Sequence, residues 1–130
     1  MSEHEGRGWL ERFGYADWMG AALHELEHAY RALRDKKRRK GITHARRAVG
    51  MGVNARLCIS FDERYGRTYA EHVIFLIKDE AVPAEIRAAA ERLLYAKDHV
   101  ELVTLGPASL AVGDDAKTVL AWLADQLPPP

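Results

Sequence analysis

The sequence predicts an all-α protein: a single up-and-down bundle of four to five helices over residues 15–127, with 1–14 as an N-terminal extension and 128–130 as a tail. Three observations carry that expectation. Apolar residues recur at intervals of three and four in successive segments, the period of a helix with one buried face. Breaks such as Tyr65-Gly66 and Gly106-Pro107 separate those segments, and no sustained alternation of apolar and polar residues suggests a sheet. The chain has 130 residues, 48% hydrophobic and 29% charged, enough to bury one core and too apolar for a disordered chain.

The first helix is expected from Tyr15 to Arg38, with Met19, Ala22, Leu23, Leu26, Ala29, Tyr30 and Leu33 on its apolar face. At 100° per residue, Asp17, His24, His28, Arg31 and Asp35 fall opposite Leu26. Basic residues crowd its last turn, where the helix dipole favours cations, and Gly41 is expected to stop it. A second helix, Thr43 to Phe61, has Val49, Val53 and Leu57 on one face and Ala, Gly, Met, Cys and Ile over much of the rest. Such a helix is buried on most sides, so it should be central. Gly50 and Gly52, each costing about 1 kcal/mol relative to Ala in a helix interior, are expected to permit close helix approach.

Thr68-Tyr-Ala-Glu71 matches a capping box, which sets a third helix from Thr68 to Ile77. Pro83 suits the first turn of a fourth, whose stripe is Ile86, Ala89, Ala90, Leu93, Leu94 and the stem of Lys97. Val100 to Leu105 reads as extended. Asp114-Asp115 can cap a last helix with Val119, Leu120, Leu123 and Leu127 inward, ended by Pro128.

The 19 Lys plus Arg cancel the 19 Asp plus Glu, yet the halves differ: residues 1–65 carry +4 and residues 66–130 carry −4. The surplus lies mainly in the block Lys36, Lys37, Arg38, Arg39 and Lys40, with Arg46-Arg47 beyond it. Clustered cations of this kind supply affinity for nucleic-acid backbone, so these five are the candidate RNA contacts. One cysteine, Cys58, excludes an internal disulfide framework, and its place in the most apolar helix predicts an inert thiol. Trp9, Trp18 and Trp122 are expected as core or interface anchors. The longest strictly aliphatic or aromatic run is Val73–Ile77, and the acidic start has no apolar segment behind it. A cytoplasmic protein without a membrane partner is expected.

His24-Glu25-Leu26-Glu27-His28 matches the His-Glu-x-x-His of zinc peptidases, in which two imidazoles bind zinc and the Glu activates water. Its histidines fall opposite the apolar stripe, and nothing before it reads as the sheet such enzymes set beside that helix. Surface histidines are expected, with no resident metal or cofactor, and adventitious metal binding by His24 and His28 stays open. Arg67 and His72 form the stronger constellation. With Thr68 as N-cap, both flank a helix N-terminus that attracts anions. An Arg that grips phosphate and a His that moves a proton suffice for metal-free phosphodiester cleavage.

The order of motifs resembles the HEPN domain family of small prokaryotic helical bundles. Trp18-Met-Gly-Ala-Ala22-Leu-His-Glu25-Leu26-Glu-His-Ala29 follows that family's first helix, and His44 to Leu57 its Ala-rich buried second helix. His72-Val-Ile-Phe-Leu76, Val82-Pro83-Ala-Glu-Ile86 and Leu93-Leu94-Tyr95-Ala96-Lys97 follow in the family's order, while Ala116 to Leu127 matches only in type. The resemblance implies an HEPN-like, metal-independent endoribonuclease using Arg-x4-His, with Arg67, Thr68 and His72 as catalytic residues across a homodimer interface. It implies RNA as substrate and a cognate antitoxin or nucleotidyltransferase-type protein as partner. Thr68 stands where Asn or Asp is frequent, and Lys97 where Arg is frequent. Many members lack activity, so the alternative is a non-catalytic HEPN-type module that binds a partner protein or a nucleotide.

Overall fold

In a computed structural model, which describes residues 6–97 and 110–129, every regular element is helical. In chain order these are α1 (Gly8–Glu11), α2 (Tyr15–Arg34), α3 (Arg38–Ile59), a 3₁₀ turn (Glu63–Tyr65), α4 (Tyr69–Lys78), α5 (Ala84–Leu94) and α6 (Ala111–Asp125). The all-α bundle expected from the periodicity is therefore present. α3 is its axis and packs against each of the other α-helices, most extensively against α2. Its Ala45, Ala48, Val49, Val53, Ala55 and Leu57 are all buried. A Cβ at Gly50 would run into the ring of Tyr69 on α4, and one at Gly52 into Leu120 on α6. Those two glycines set how closely α4 and α6 approach.

The turn between α2 and α3 departs from expectation. α2 ends at Arg34, and Lys36 adopts φ 60°. The Lys36 N–H donates to Leu33 O (3.1 Å) and the Lys37 N–H to Ala32 O (2.9 Å), the paired bonds of a Schellman termination with a lysine where glycine is usual. Gly41 does not stop a helix; it lies inside α3, where an added Cβ would sit 2.6 Å from the Leu33 side chain. Arg38, Arg39 and Lys40 thus open α3, the end at which the dipole disfavours cations, instead of closing α2.

Other differences are local. Leu23, at the margin of the α2 stripe, is 48% exposed. α6 begins before Asp114, with Leu110 at its N-cap, and the Asp114 carboxylate accepts the Tyr30 hydroxyl at 2.6 Å instead of capping the helix. Lys97 lies exposed beyond α5, whose last carbonyls receive Arg46 instead: its guanidinium donates to Leu93, Leu94 and Ala96 O at 2.8–3.2 Å. The segment before residue 15 is not merely an extension. Its α1 puts Leu10 in the core, and Trp18 Nε1 donates to Leu10 O at 2.8 Å. The stretch Val100–Leu105 lies outside the described residues.

Candidate functional site

Gly66, at φ 71°, turns the chain out of the 3₁₀ turn and into the cap of α4. Thr68 takes the N-cap position as the capping box requires: its Oγ1 accepts from Glu71 N at 3.1 Å, and the Glu71 carboxylate accepts from Thr68 N at 3.2 Å. The Thr68 hydroxyl also donates to Glu71 Oε1 at 2.9 Å. These bonds hold the Glu71 carboxyl below its usual range. Thr68 is thus occupied in both directions, and the helix N-terminus already has an anion of its own.

Beside this cap lies an open cleft of about 340 Å³, lined by Trp9, Arg12, Trp18, Asn54, Arg67, Thr68 and Tyr69. Arg67 is exposed at its rim; its guanidinium donates to Gly6 O at 2.8 Å and lies 5.9 Å from the Trp9 ring centre. Arg12, also exposed, lies 5.0 Å from the Phe13 ring and 6.0 Å from that of Trp18. Two cations and the half-buried rings of Trp9 and Tyr69 thus border one opening.

His72 does not share it. The residue is 0% exposed, with the Trp9 ring 6.1 Å and the Tyr69 ring 6.4 Å away. Nδ1 lies 2.7 Å from Tyr65 O, a pure acceptor, so Nδ1 carries a proton. Nε2 lies 2.6 Å from Oδ1 of Asn54, itself 2% exposed. Burial pushes the His72 pKa down and favours the neutral ring. Asn54 Oδ1 faces Nε2, so a neutral ring, which needs a donor at that nitrogen, requires a half-turn of the amide that brings its NH₂ group there. Both ring nitrogens are thereby committed. Of the three residues expected to act together, Arg67 and Thr68 share the cleft and His72 lies one layer beneath it, with Asn54 between.

The basic block is not brought to this site. Lys40 and Asn54 are 14 residues apart on α3, about 21 Å along the helix axis. Within the block, Arg38 Nε donates to Lys97 O at 2.7 Å, and Lys36, Lys37 and Lys40 are exposed. Arg47 faces Glu25 at 3.7 Å. The Cys58 thiol is half-buried and its pKa is raised by burial, which removes thiolate character. Glu25 is held by His44 (2.6 Å) and so is not free to activate water as the zinc-peptidase pattern demands.

Sequence reasoning missed Arg12, Asn54 and Tyr69 as cleft residues. Asn54 alone carried a signal, as an uncharged polar residue between Val53 and Ala55 on a helix that must be buried. Arg12 and Tyr69 join through tertiary packing that no local spacing encodes.

Fold and site define an all-α bundle with an Arg- and Trp-bordered cleft above a fully hydrogen-bonded histidine. Compared with protein-family models, curated proteins and solved structures, the chain matches none. Among the described residues, no helix is long and apolar enough to cross a membrane.

Proposed function

We propose that the protein is a non-catalytic, HEPN-type binding module whose cleft takes a nucleotide or the end of an RNA strand. The observation that carries this reading is the state of His72. A general base must come within hydrogen-bond reach of the proton it removes, and His72 is sealed with both nitrogens engaged. The cleft has the chemistry of binding: the guanidinium groups of Arg12 and Arg67 suit phosphate, and Trp9 and Tyr69 offer faces on which a base can stack. The cations at Lys36–Lys40 form a second, separate surface for backbone phosphates.

Titration of the full chain with AMP and with a short RNA, followed by Trp fluorescence in EDTA, tests the reading. Saturable binding that weakens about tenfold in Arg67→Ala and in Arg12→Ala, and weakens further with salt, supports it. RNA recovered intact from the same samples supports the absence of catalysis. RNA cleaved by the wild type but not by Arg67→Ala overturns it, and supports a metal-independent endoribonuclease using Arg67, Thr68 and His72 in a homodimer.

A further inference from the structure

His24 and His28 stand one turn apart on α2, with their Nε2 atoms 3.2 Å from each other and ring centres 4.7 Å apart. A hydrogen bond between two imidazoles fits the first distance if one nitrogen carries the proton and the other does not. On a solvent-facing helix such a bond competes with water and stabilises little. A chelate fits both distances to within about 0.3 Å. A cation about 2.05 Å from each nitrogen, in line with each ring and seen at about 90–109°, places the nitrogens about 2.9–3.3 Å apart. With each ring centre about 1.15 Å behind its nitrogen, the centres then lie about 4.5–5.2 Å apart.

The pair is braced from behind. His28 stacks on His44 of α3, with centres 5.4 Å apart and planes at 27°. His44 is held through Nδ1 by Glu25 Oε2 at 2.6 Å, and Glu25 Oε1 faces Arg47 at 3.7 Å. The His28 ring thus lies against a stacked partner that is itself held by Glu25. His24 is exposed, so the pair opens outward.

We propose that His24 and His28 form a two-nitrogen chelate on the outer face of α2 for a borderline divalent cation, Zn²⁺, Ni²⁺ or Cu²⁺, with His44 and Glu25 as positioning residues. Imidazole nitrogen selects these ions over Mg²⁺ and Ca²⁺, which prefer oxygen. Among the described residues, no cluster of three or more His, Cys, Asp or Glu side chains is arranged to hold a metal. Two nitrogens from the described residues therefore leave the remaining coordination positions to water or to a donor from outside those residues.

The test is calorimetric titration of tag-free protein with ZnSO₄, NiCl₂ and CuCl₂, in a His4→Ala/His99→Ala background that removes both imidazoles outside the described residues. One ion per chain is expected, with Cu²⁺ tightest, and two-nitrogen hyperfine structure in the electron paramagnetic resonance spectrum of the copper form. His24→Ala and His28→Ala should each remove that two-nitrogen signal and weaken binding at least about tenfold, with circular dichroism unchanged. Glu25→Gln, which reaches His28 only through the stacked ring of His44, should keep the signal and weaken affinity less than either histidine substitution does. No binding by the wild type, or equal binding by the His24→Ala/His28→Ala double variant, overturns the proposal and leaves an imidazole hydrogen bond alone.

Discussion

Two regions of this molecule are built on histidines one helical turn from a motif partner, and they have opposite surroundings. His72, on α4, is 0% exposed and spends both ring nitrogens on Tyr65 and Asn54. His24 and His28, on α2, turn their Nε2 atoms toward each other at the surface. Both were conspicuous as strings of residues, and in both the string suggested chemistry. The lesson lies in what each imidazole can still exchange. A buried ring whose donors and acceptors are paired fixes the packing of three segments, while a pair at the surface, with His24 exposed and His28 half-buried, can turn its nitrogens to an ion.

The sharpest way to break this contrast is to delete the buried ring. His72→Ala leaves Tyr65 O and the Asn54 amide without partners and opens a cavity beneath Trp9, and we expect a loss of about 3–5 kcal/mol of folding stability. Urea denaturation measures it. A loss below about 1 kcal/mol would mean that water replaces the ring easily, and that His72 is more accessible than its surroundings imply. The same expectation bears on any nuclease assay, because activity lost in His72→Ala could reflect unfolding. Arg67→Ala, at an exposed residue, is the cleaner probe.

Acid distinguishes the two regions next. Burial holds the folded-state pKa of His72 below its ordinary value of 6.5, so as pH falls the unfolded chain takes up this proton first. The contribution is complete above about pH 6.5 and declines as pH drops from there toward the folded pKa, by at most about 1.4 kcal/mol per pH unit for one proton. A turn of the Asn54 amide, presenting oxygen to a newly protonated Nε2, makes the decline shallower. Urea midpoints at pH 7.5, 6.5 and 5.5 should show a steeper fall for the wild type than for His72→Gln, which keeps polar groups but cannot titrate there. Identical slopes would contradict a buried neutral ring.

How far these regions could be read from sequence depends on what each feature needs. The central place of α3 was legible because its small and apolar residues leave no polar face, and the start of α4 because Thr68 and Glu71 are a local device. The α2–α3 turn was not legible: a Schellman termination normally announces itself with glycine, and here Lys36 sits in the left-handed region amid five cations. Gly41 misled for the complementary reason, since its role is to admit Leu33 and not to end a helix. At the site, the Arg67–His72 spacing was plain, but periodicity around a short helix does not say which element covers it. Trp9, from a segment expected to lie outside the bundle, lies over His72.

The cap that orients α4 gives a smaller effect. Thr68→Ala removes the acceptor for Glu71 N and one partner of the Glu71 carboxylate, and should cost about 1 kcal/mol, whereas Thr68→Ser should cost a few tenths. Because this cap sets the first turn from which His72 projects, hydrogen exchange of the Glu71 and His72 amides should quicken in Thr68→Ala. Unchanged exchange would detach the cap from the buried node and weaken the view that they form one unit.

The smallest expected effect completes the contrast. Without added metal, His24→Ala should alter stability by less than about 0.5 kcal/mol, because an exposed side chain is lost and alanine is the better helix former. His28→Ala should cost somewhat more, since its ring also covers His44. A large loss in His24→Ala would mean that the surface imidazole bond contributes to the fold as the buried one does. In that case exposure would not be what separates the two regions, and the free lone pairs on α2 would have to be sought elsewhere.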